Sequence, residues 1–126
     1  MEGVCDLFNA DDSDTTFESK TYKLQPLIFQ CHPELEADTE IFEMDGKQDN
    51  VLIGEAHWKG SRVFSKWLSK KFKDQLQGKN ILELGSGPGL CGFVAANLGA
   101  NSVVLTDYKP QVMELIAYNI RHFKKT

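Results

Sequence analysis

The chain has 126 residues, of which 41% are apolar and 25% are charged, and its formal net charge at pH 7 is −4. This length and balance fit at most one globular domain. No apolar run approaches the roughly 18 residues of a membrane-spanning helix, and the acidic start without a basic flank is not that of a secretory signal.

The first 20 residues are polar and acidic, and this composition predicts a disordered leader. Residues 1–40 hold ten acidic residues and two lysines, whereas residues 41–126 hold twelve Lys or Arg and eight acidic residues. The leader is suited to a basic partner, but a solvated tail is the simpler interpretation. Aromatic and basic residues are not interleaved as in single-strand binders, so nucleic acid is not predicted as a partner.

Residues 21–56 are predicted to form a short β-rich extension. Residues 22–30 and 39–44 have strand-forming compositions and are separated by a break at Cys31-His32-Pro33. Pro26 places the centre of the first strand at an edge or a bulge, because proline cannot donate a ladder hydrogen bond. A small hairpin or meander is therefore expected before the main fold.

Residues 61–76 carry the clearest helical pattern. Apolar side chains recur at three- and four-residue steps, Ser61 is suited to cap the start, and Gly78 is suited to end the helix. We interpret the apolar stripe as a packing face of the core; it consists of Val63, Phe64, Trp67, Leu68 and Phe72.

A short apolar strand over residues 81–84 leads into a turn that contains Gly85, Gly87 and Gly89. Glycine permits positive φ and a close approach of the backbone to a ligand. A helix over residues 90–98 starts at this turn, so its free N–H groups and its positive dipole end are expected to face the same place.

Asp107 ends the next apolar strand and follows Gly85 by 22 residues. That separation is close to the roughly 20 residues typical of an acid that accepts hydrogen bonds from a ribose. Tyr108 is placed to cover one face of an adenine ring, and Pro110 suits the first turn of a helix that reaches about residue 123. The alternation of strands and helices predicts an α/β fold with a Rossmann-like parallel sheet and right-handed crossovers.

The glycine spacing distinguishes two classes of ligand. A dinucleotide fingerprint needs its third glycine at position 90, which is a leucine here, whereas the third glycine is Gly89. Glu83 lies two residues before the first glycine, where a pyrophosphate has no use for a carboxylate. A ligand with a cationic amino-acid end can pair with that carboxylate. The pattern therefore favours S-adenosylmethionine, and NAD is the weaker alternative.

Two motifs carry a resemblance to a known family: Ile-Leu-Glu-Leu-Gly-Ser-Gly-Pro-Gly-Leu-Cys-Gly at 81–92 and Val-Leu-Thr-Asp-Tyr at 104–108, with Trp58 before and Asn119 after them. With these, residues 51–123 resemble the seven-stranded, Rossmann-like class I methyltransferases. Within that class they look like the methyltransferase-like (nicotinamide-N-methyltransferase-related) protein-lysine methyltransferase group. The resemblance implies transfer of a methyl group from S-adenosylmethionine to a protein lysine. It also implies which residues bind the cofactor. The methionine part would be surrounded by Glu83, Gly85, Gly87 and Gly89. Asp107 would bind the ribose, Tyr108 would contact the adenine, and Trp58 would line the same pocket.

The chain departs from that family in two respects. Lys59-Gly60-Ser61 follow Trp58, where the family usually has a proline and a small residue. The family's fold continues beyond the point that matches Thr126 and carries an Asp-x-x-Tyr-type motif that this chain lacks. Residues 57–126 are therefore expected to be the cofactor-binding half of a larger domain, with the chain a fragment or a shortened splice form; the alternative is that a partner or a second copy completes the sheet. The alternative to an active methyltransferase is a non-catalytic binding or interaction module.

No residue is assigned to catalysis or to a metal. His57 adjoins Trp58, but a histidine beside a pocket is more often a structural polar contact. Cys5, Cys31 and Cys91 have no metal-ligand spacing. We interpret them as free thiols of a cytoplasmic protein that is also expected in the nucleus.

Overall fold

The computed structural model describes residues 4–6, 24–30, 38–44 and 59–124. A three-stranded sheet and a two-stranded sheet lie within these ranges, and no helix there is long and apolar enough to cross a membrane. The strands are β1 (Val4–Asp6), β2 (Leu24–Gln30), β3 (Asp38–Met44), β4 (Asn80–Glu83) and β5 (Ser102–Thr106). The helices are α1 (Lys59–Trp67), α2 (Lys73–Leu76), α3 (Leu90–Asn97) and α4 (Pro110–His122), with a π-helical turn (Leu68–Phe72) between α1 and α2.

The strands β4 and β5 pair in parallel, with Asn80 opposite Ser102 and Glu83 opposite Leu105. Parallel neighbours need a crossover rather than a tight turn, and α3 is that crossover. This confirms the predicted α/β fold with a parallel sheet, although β4 begins one residue earlier than the sequence predicts. Because the two carboxyl ends meet at one edge of the sheet, the glycine turn and Asp107 lie side by side.

The third strand of this sheet comes from the acidic leader. The strand β1 runs antiparallel to β5, with Val4 opposite Thr106, and gives the order β1-β5-β4. The composition of residues 1–20 predicts disorder, and the structure differs over these three residues. Composition misses such a strand because an edge offers backbone N–H and C=O groups that any extended segment can pair with.

The predicted hairpin is confirmed. The strands β2 and β3 pair antiparallel along their full length, from Leu24 opposite Met44 to Gln30 opposite Asp38. Both are edge strands of a two-stranded sheet, so Pro26 lies opposite Phe42 where its missing N–H is tolerated. Alternate residues of β3 are buried, namely Thr39, Ile41 and Glu43, so one face of the hairpin packs on the rest of the fold.

Only part of the predicted apolar stripe of the first helix packs on the core, to which Leu68 contributes. Val63, Phe64 and Trp67 are 69%, 49% and 46% exposed, whereas Ser65 and Ser69 are buried. The helix turns its serines inward because small side chains let two helix backbones approach closely. The exposed aromatic rings instead stack on each other, with 5.6 Å between the ring centroids of Phe64 and Trp67.

The buried serine face meets α3, where Ser65 Oγ lies 3.5 Å from Sγ of Cys91. Beyond this contact the π-helical turn Leu68–Phe72 interrupts the regular α-helical spacing. The turn changes the angle at which later side chains leave the helix, and Leu76 packs against the core. The three- and four-residue spacing of apolar side chains is therefore interrupted at this turn, although the helical segment continues to Leu76.

The hydrophobic core lies on one face of the three-stranded sheet. The helix α3 is apolar on every side and is almost wholly buried. Its partners in the core include Val103 and Leu105 of β5 and Val112 and Ile116 of α4. On the other face of the sheet Leu82 is 62% exposed, and Leu84 just beyond β4 is 77% exposed.

The packing of α3 on the sheet predicts the outcome of a glycine substitution. A Cβ atom at Gly92 would overlap Cδ2 of Leu105 and would lie 2.8 Å from Oε2 of Glu83. We expect Gly92→Ala to lower the free energy of unfolding by about 1–3 kcal/mol, as overpacking typically does, in urea denaturation.

The matched control is Gly60→Ala in α1, where a Cβ would meet no heavy atom within 4 Å. Alanine is the better helix former by up to about 1 kcal/mol, so this variant should be as stable as the parent or more stable. Equal small effects of the two substitutions would contradict the close approach of α3 to the sheet.

Candidate functional site

The glycine turn connects the carboxyl end of β4 to the amino end of α3. Its φ angles are positive at all three predicted glycines: 62° at Gly85, 55° at Gly87 and 94° at Gly89. A Cβ at Gly85 would meet no heavy atom within 4 Å, so conformation alone requires glycine there. At Gly89 a Cβ would also lie 2.9 Å from Cε2 of Phe93, so this glycine serves both the turn and the packing beneath it.

Asp107 lies just beyond β5 and binds the glycine turn directly. Its Oδ2 accepts a hydrogen bond from the Gly87 N–H at 3.1 Å. Its Oδ1 accepts from the N–H groups of Tyr108 at 2.8 Å and Lys109 at 3.3 Å. A carboxylate has about four lone-pair sites, so Asp107 can still accept a hydrogen bond from a ligand hydroxyl while it holds the turn.

Ser86 extends the pairing of the two parallel strands into the turn, a role that sequence reasoning missed. Its N–H donates to the Thr106 carbonyl at 2.7 Å, and its Oγ accepts from the Thr106 N–H at 3.0 Å. Thr106 Oγ1 in turn donates to the Glu83 carbonyl at 2.8 Å. A serine between two glycines reads as an ordinary turn residue, so only the register of the strands reveals these bonds.

Glu83 is turned toward the start of α3 rather than into solvent. Its Oε2 accepts a hydrogen bond from the Gly92 N–H at 2.9 Å. Burial raises the pKa of Glu83 from the ordinary 4.5 to about 7, and the Gly92 hydrogen bond opposes this rise in part. The expectation that all the first N–H groups of α3 face a ligand is therefore wrong at Gly92, whose N–H is taken by Glu83.

Of the two aromatic residues predicted to contact the cofactor, Tyr108 lies within the described residues and Trp58 does not. The Tyr108 ring is 85% exposed beside Asp107, with Nζ of Lys109 5.6 Å from the ring centroid. Its face is accessible to a flat ligand, as the adenine prediction requires. Trp58 lies outside the described residues, so its place in the pocket stays a prediction.

Cys91 lies behind the turn and not in it. Its thiol is 3.5 Å from Ser65 Oγ and donates to the Ser61 carbonyl at 3.6 Å, and burial raises its pKa. In the part of the chain that the structure describes, no group of three or more His, Cys, Asp or Glu side chains is arranged to hold a metal. These contacts fit a structural thiol.

The site combines groups that bind and orient a ligand. It offers a glycine backbone at a helix start, a carboxylate with free acceptor capacity at Asp107, an exposed ring at Tyr108 and a partly buried carboxyl at Glu83. A ligand with a ribose, a flat base and a cationic end matches this set, so the residues present fit S-adenosylmethionine. The structure brings the predicted residues 83–89, 107 and 108 together, and their individual roles stay predictions.

Comparison with known families gives an independent assignment. Residues 36–126, well over half of the chain, match a family described as "Lysine methyltransferase". The match includes β3, the glycine turn, Asp107 and α4.

Individual relatives agree with the family match. The chain is 33% identical over 105 residues (76% of this chain, 39% of the relative) to protein N-terminal and lysine N-methyltransferase EFM7 of Gibberella zeae. It is 41% identical over 87 residues (67% and 28%) to calmodulin-lysine N-methyltransferase of Arabidopsis thaliana. It is 50% identical over 48 residues (38% and 21%) to protein N-lysine methyltransferase METTL21A of Danio rerio. The chain thus spans 21–39% of the length of these three relatives.

The raised pKa of Glu83 predicts a pH dependence of stability. The folded state keeps a proton on Glu83 that the unfolded chain releases above about pH 4.5, so this contribution to stability is complete below pH 4.5 and is lost as pH rises through about 7. Glu83→Gln keeps an oxygen for the Gly92 N–H and cannot ionise. Its unfolding free energy relative to the parent should therefore rise by up to about 3 kcal/mol between pH 4.5 and pH 8 in urea denaturation.

Glu114→Gln, at an exposed glutamate of α4, is the matched control. A pH-independent difference between the Glu83→Gln variant and the parent would show that burial does not hold a proton on Glu83.

Proposed function

This chain belongs to the lysine methyltransferase family, and we propose that it forms the S-adenosylmethionine-binding part of a protein-lysine N-methyltransferase. The observation that carries the proposal is the hydrogen bond between the Gly87 N–H and the Asp107 carboxylate. It fixes a backbone turn and a ribose-type acceptor next to each other, as a nucleoside ligand needs.

Different residues are assigned to different parts of the cofactor. We assign the amino-acid end to the glycine turn and Glu83, because the cationic end of the ligand would stabilise the ionised form of this carboxyl. We assign the ribose hydroxyls to the remaining acceptor capacity of Asp107, and the adenine to the Tyr108 face and Trp58. The two carboxyl groups contact different parts of this segment, Glu83 at the Gly92 N–H and Asp107 at the Gly87 N–H.

The chain contributes binding and orientation to the reaction. When bound, S-adenosylmethionine would supply an activated methyl group on sulfur for in-line transfer to a neutral lysine amine, with S-adenosylhomocysteine as the leaving group and a proton released from the methylated amine. The rigid turn, held by Asp107 and Ser86, fixes the direction in which a ligand lies, and positioning of this kind accounts for much of the rate of such transfers. No described residue is assigned as a general base.

The substrate class rests on the relatives. The three named above are protein lysine methyltransferases, and one carries calmodulin in its name. We propose a protein lysine as the acceptor, tested by incubating the protein with methyl-labelled S-adenosylmethionine and candidate protein substrates and by analysing the products for methyl-lysine.

We also propose a cytoplasmic location that extends to the nucleus. The free thiol of Cys91 suits a reducing compartment. Microscopy of the fluorescently tagged protein tests this proposal, and retention in a secretory compartment would contradict it.

The cofactor proposal predicts the effect of removing the Asp107 carboxylate. Hydrogen bonds to a charged group contribute about 1.5–3 kcal/mol, so Asp107→Ala should weaken binding of S-adenosylmethionine about tenfold or more in calorimetric titration. NAD should bind more weakly than S-adenosylmethionine to the parent chain.

The matched control is Asp74→Ala, at an exposed position of α2 near the other end of β4. It should bind the cofactor as the parent does, and thermal unfolding should show that both variants are folded. Unchanged affinity in Asp107→Ala, or tighter binding of NAD by the parent, would overturn the proposal.

A further inference from the structure

Asn119 of α4 is a buried amide whose side chain spans two separate elements. It is 1% exposed. Its Oδ1 accepts from the Phe42 N–H at 2.7 Å, and its Nδ2 donates to the Phe42 carbonyl at 2.8 Å and to the Pro88 carbonyl at 3.0 Å. One N–H and two carbonyls fix the orientation of the amide, because the reverse orientation would place donor against donor and acceptor against acceptor.

The Pro88 carbonyl belongs to the glycine turn, between Gly87 and Gly89. Proline has no N–H, so this carbonyl is its one polar backbone group. The turn is thus held from two directions. Asp107 and Thr106 hold it from the end of β5, through Gly87 and Ser86, and Asn119 holds it from α4.

The other two bonds of Asn119 attach the hairpin. The side-chain amide pairs with the N–H and the carbonyl of Phe42 in β3 as a neighbouring strand would. The Phe42 ring adds an edge-to-face contact with Tyr118, at 5.5 Å between centroids. A single side chain therefore contacts both β3 and the turn.

We propose that Asn119 is a positioning residue for the cofactor turn, and that it couples the β2–β3 hairpin to binding of the amino-acid end of S-adenosylmethionine. The inference rests on the proposed function for the identity of the ligand. Asn119 acts through Pro88 and reaches the part of the turn assigned to the methionine group, whereas the ribose and adenine are assigned to Asp107 and Tyr108. Its loss should therefore affect one end of the ligand more than the other.

A second hairpin contact supplies a matched control. Asn97 of α3 donates from Nδ2 to Oγ1 of Thr39 in β3 at 2.7 Å, and Thr39 is 0% exposed. Thr39→Val removes this buried bond with little change of shape. It therefore loosens the same hairpin without touching the glycine turn.

The first test compares two ligands that differ in the amino-acid end. S-adenosylhomocysteine carries it, and 5′-methylthioadenosine does not. For Asn119→Ala, and for the milder Asn119→Ser, calorimetric titration should show about tenfold weaker binding of S-adenosylhomocysteine, while the affinity for 5′-methylthioadenosine stays within about twofold of the parent. Thr39→Val should leave both affinities unchanged. Equal weakening of both ligands by the Asn119 variants would reduce Asn119 to a structural residue and overturn the inference.

The second test needs no ligand. Amide hydrogen exchange should be about tenfold faster at Gly87 and Gly89 in the Asn119 variants, and unchanged there in Thr39→Val. A parent chain that binds neither ligand would contradict the proposed function, and the exchange rates would then decide alone whether Asn119 holds the turn. Unchanged exchange at both glycines would overturn the positioning role.

Discussion

The hydrogen bond between the Gly87 N–H and the Asp107 carboxylate links two parts of the chain that only the parallel pairing of β4 and β5 brings together. Antiparallel pairing would place the ends of these strands at opposite edges of the sheet. Parallel pairing places the turn after β4 beside the acid after β5, and Ser86 reinforces the contact through two bonds to Thr106. The placement of Asp107 beside the glycine turn is therefore a property of the sheet register.

Glu83 links this geometry to charge. Its carboxyl group caps the start of α3 at Gly92, where a negative charge is favoured by the helix dipole, yet burial disfavours that charge. The two effects leave Glu83 close to the balance between its neutral and ionised forms near neutral pH. In the proposed complex, the cationic end of the cofactor would shift that balance toward the carboxylate.

Local sequence patterns predict the elements of this fold better than their contacts. A few neighbouring residues are enough to predict the strand–glycine–helix pattern, the Pro110 helix start and the hairpin, and all three are confirmed. The separation of Gly85 from Asp107 predicts their proximity, because strand and crossover lengths in such units vary little. The close approach at Gly92 and the bonds of Ser86 and Asn119 depend on partners far along the chain, and no local pattern encodes them. The first helix shows the same limit: Leu68 of its apolar stripe packs on the core, but Ser65 and Ser69 are buried where the stripe does not predict it.

The π-helical turn at Leu68–Phe72 affects how this chain should be aligned with others. Such a turn accommodates one residue more than the α-helical turn it replaces, and the helix continues after it with its side chains rotated. A homologous protein with an uninterrupted α-helix at this place will be one residue shorter between α1 and β4. The resulting single-residue gap marks a difference in helix winding and not a different fold. An alignment that forces this gap elsewhere will shift either the serine face of α1 or the glycine turn out of register.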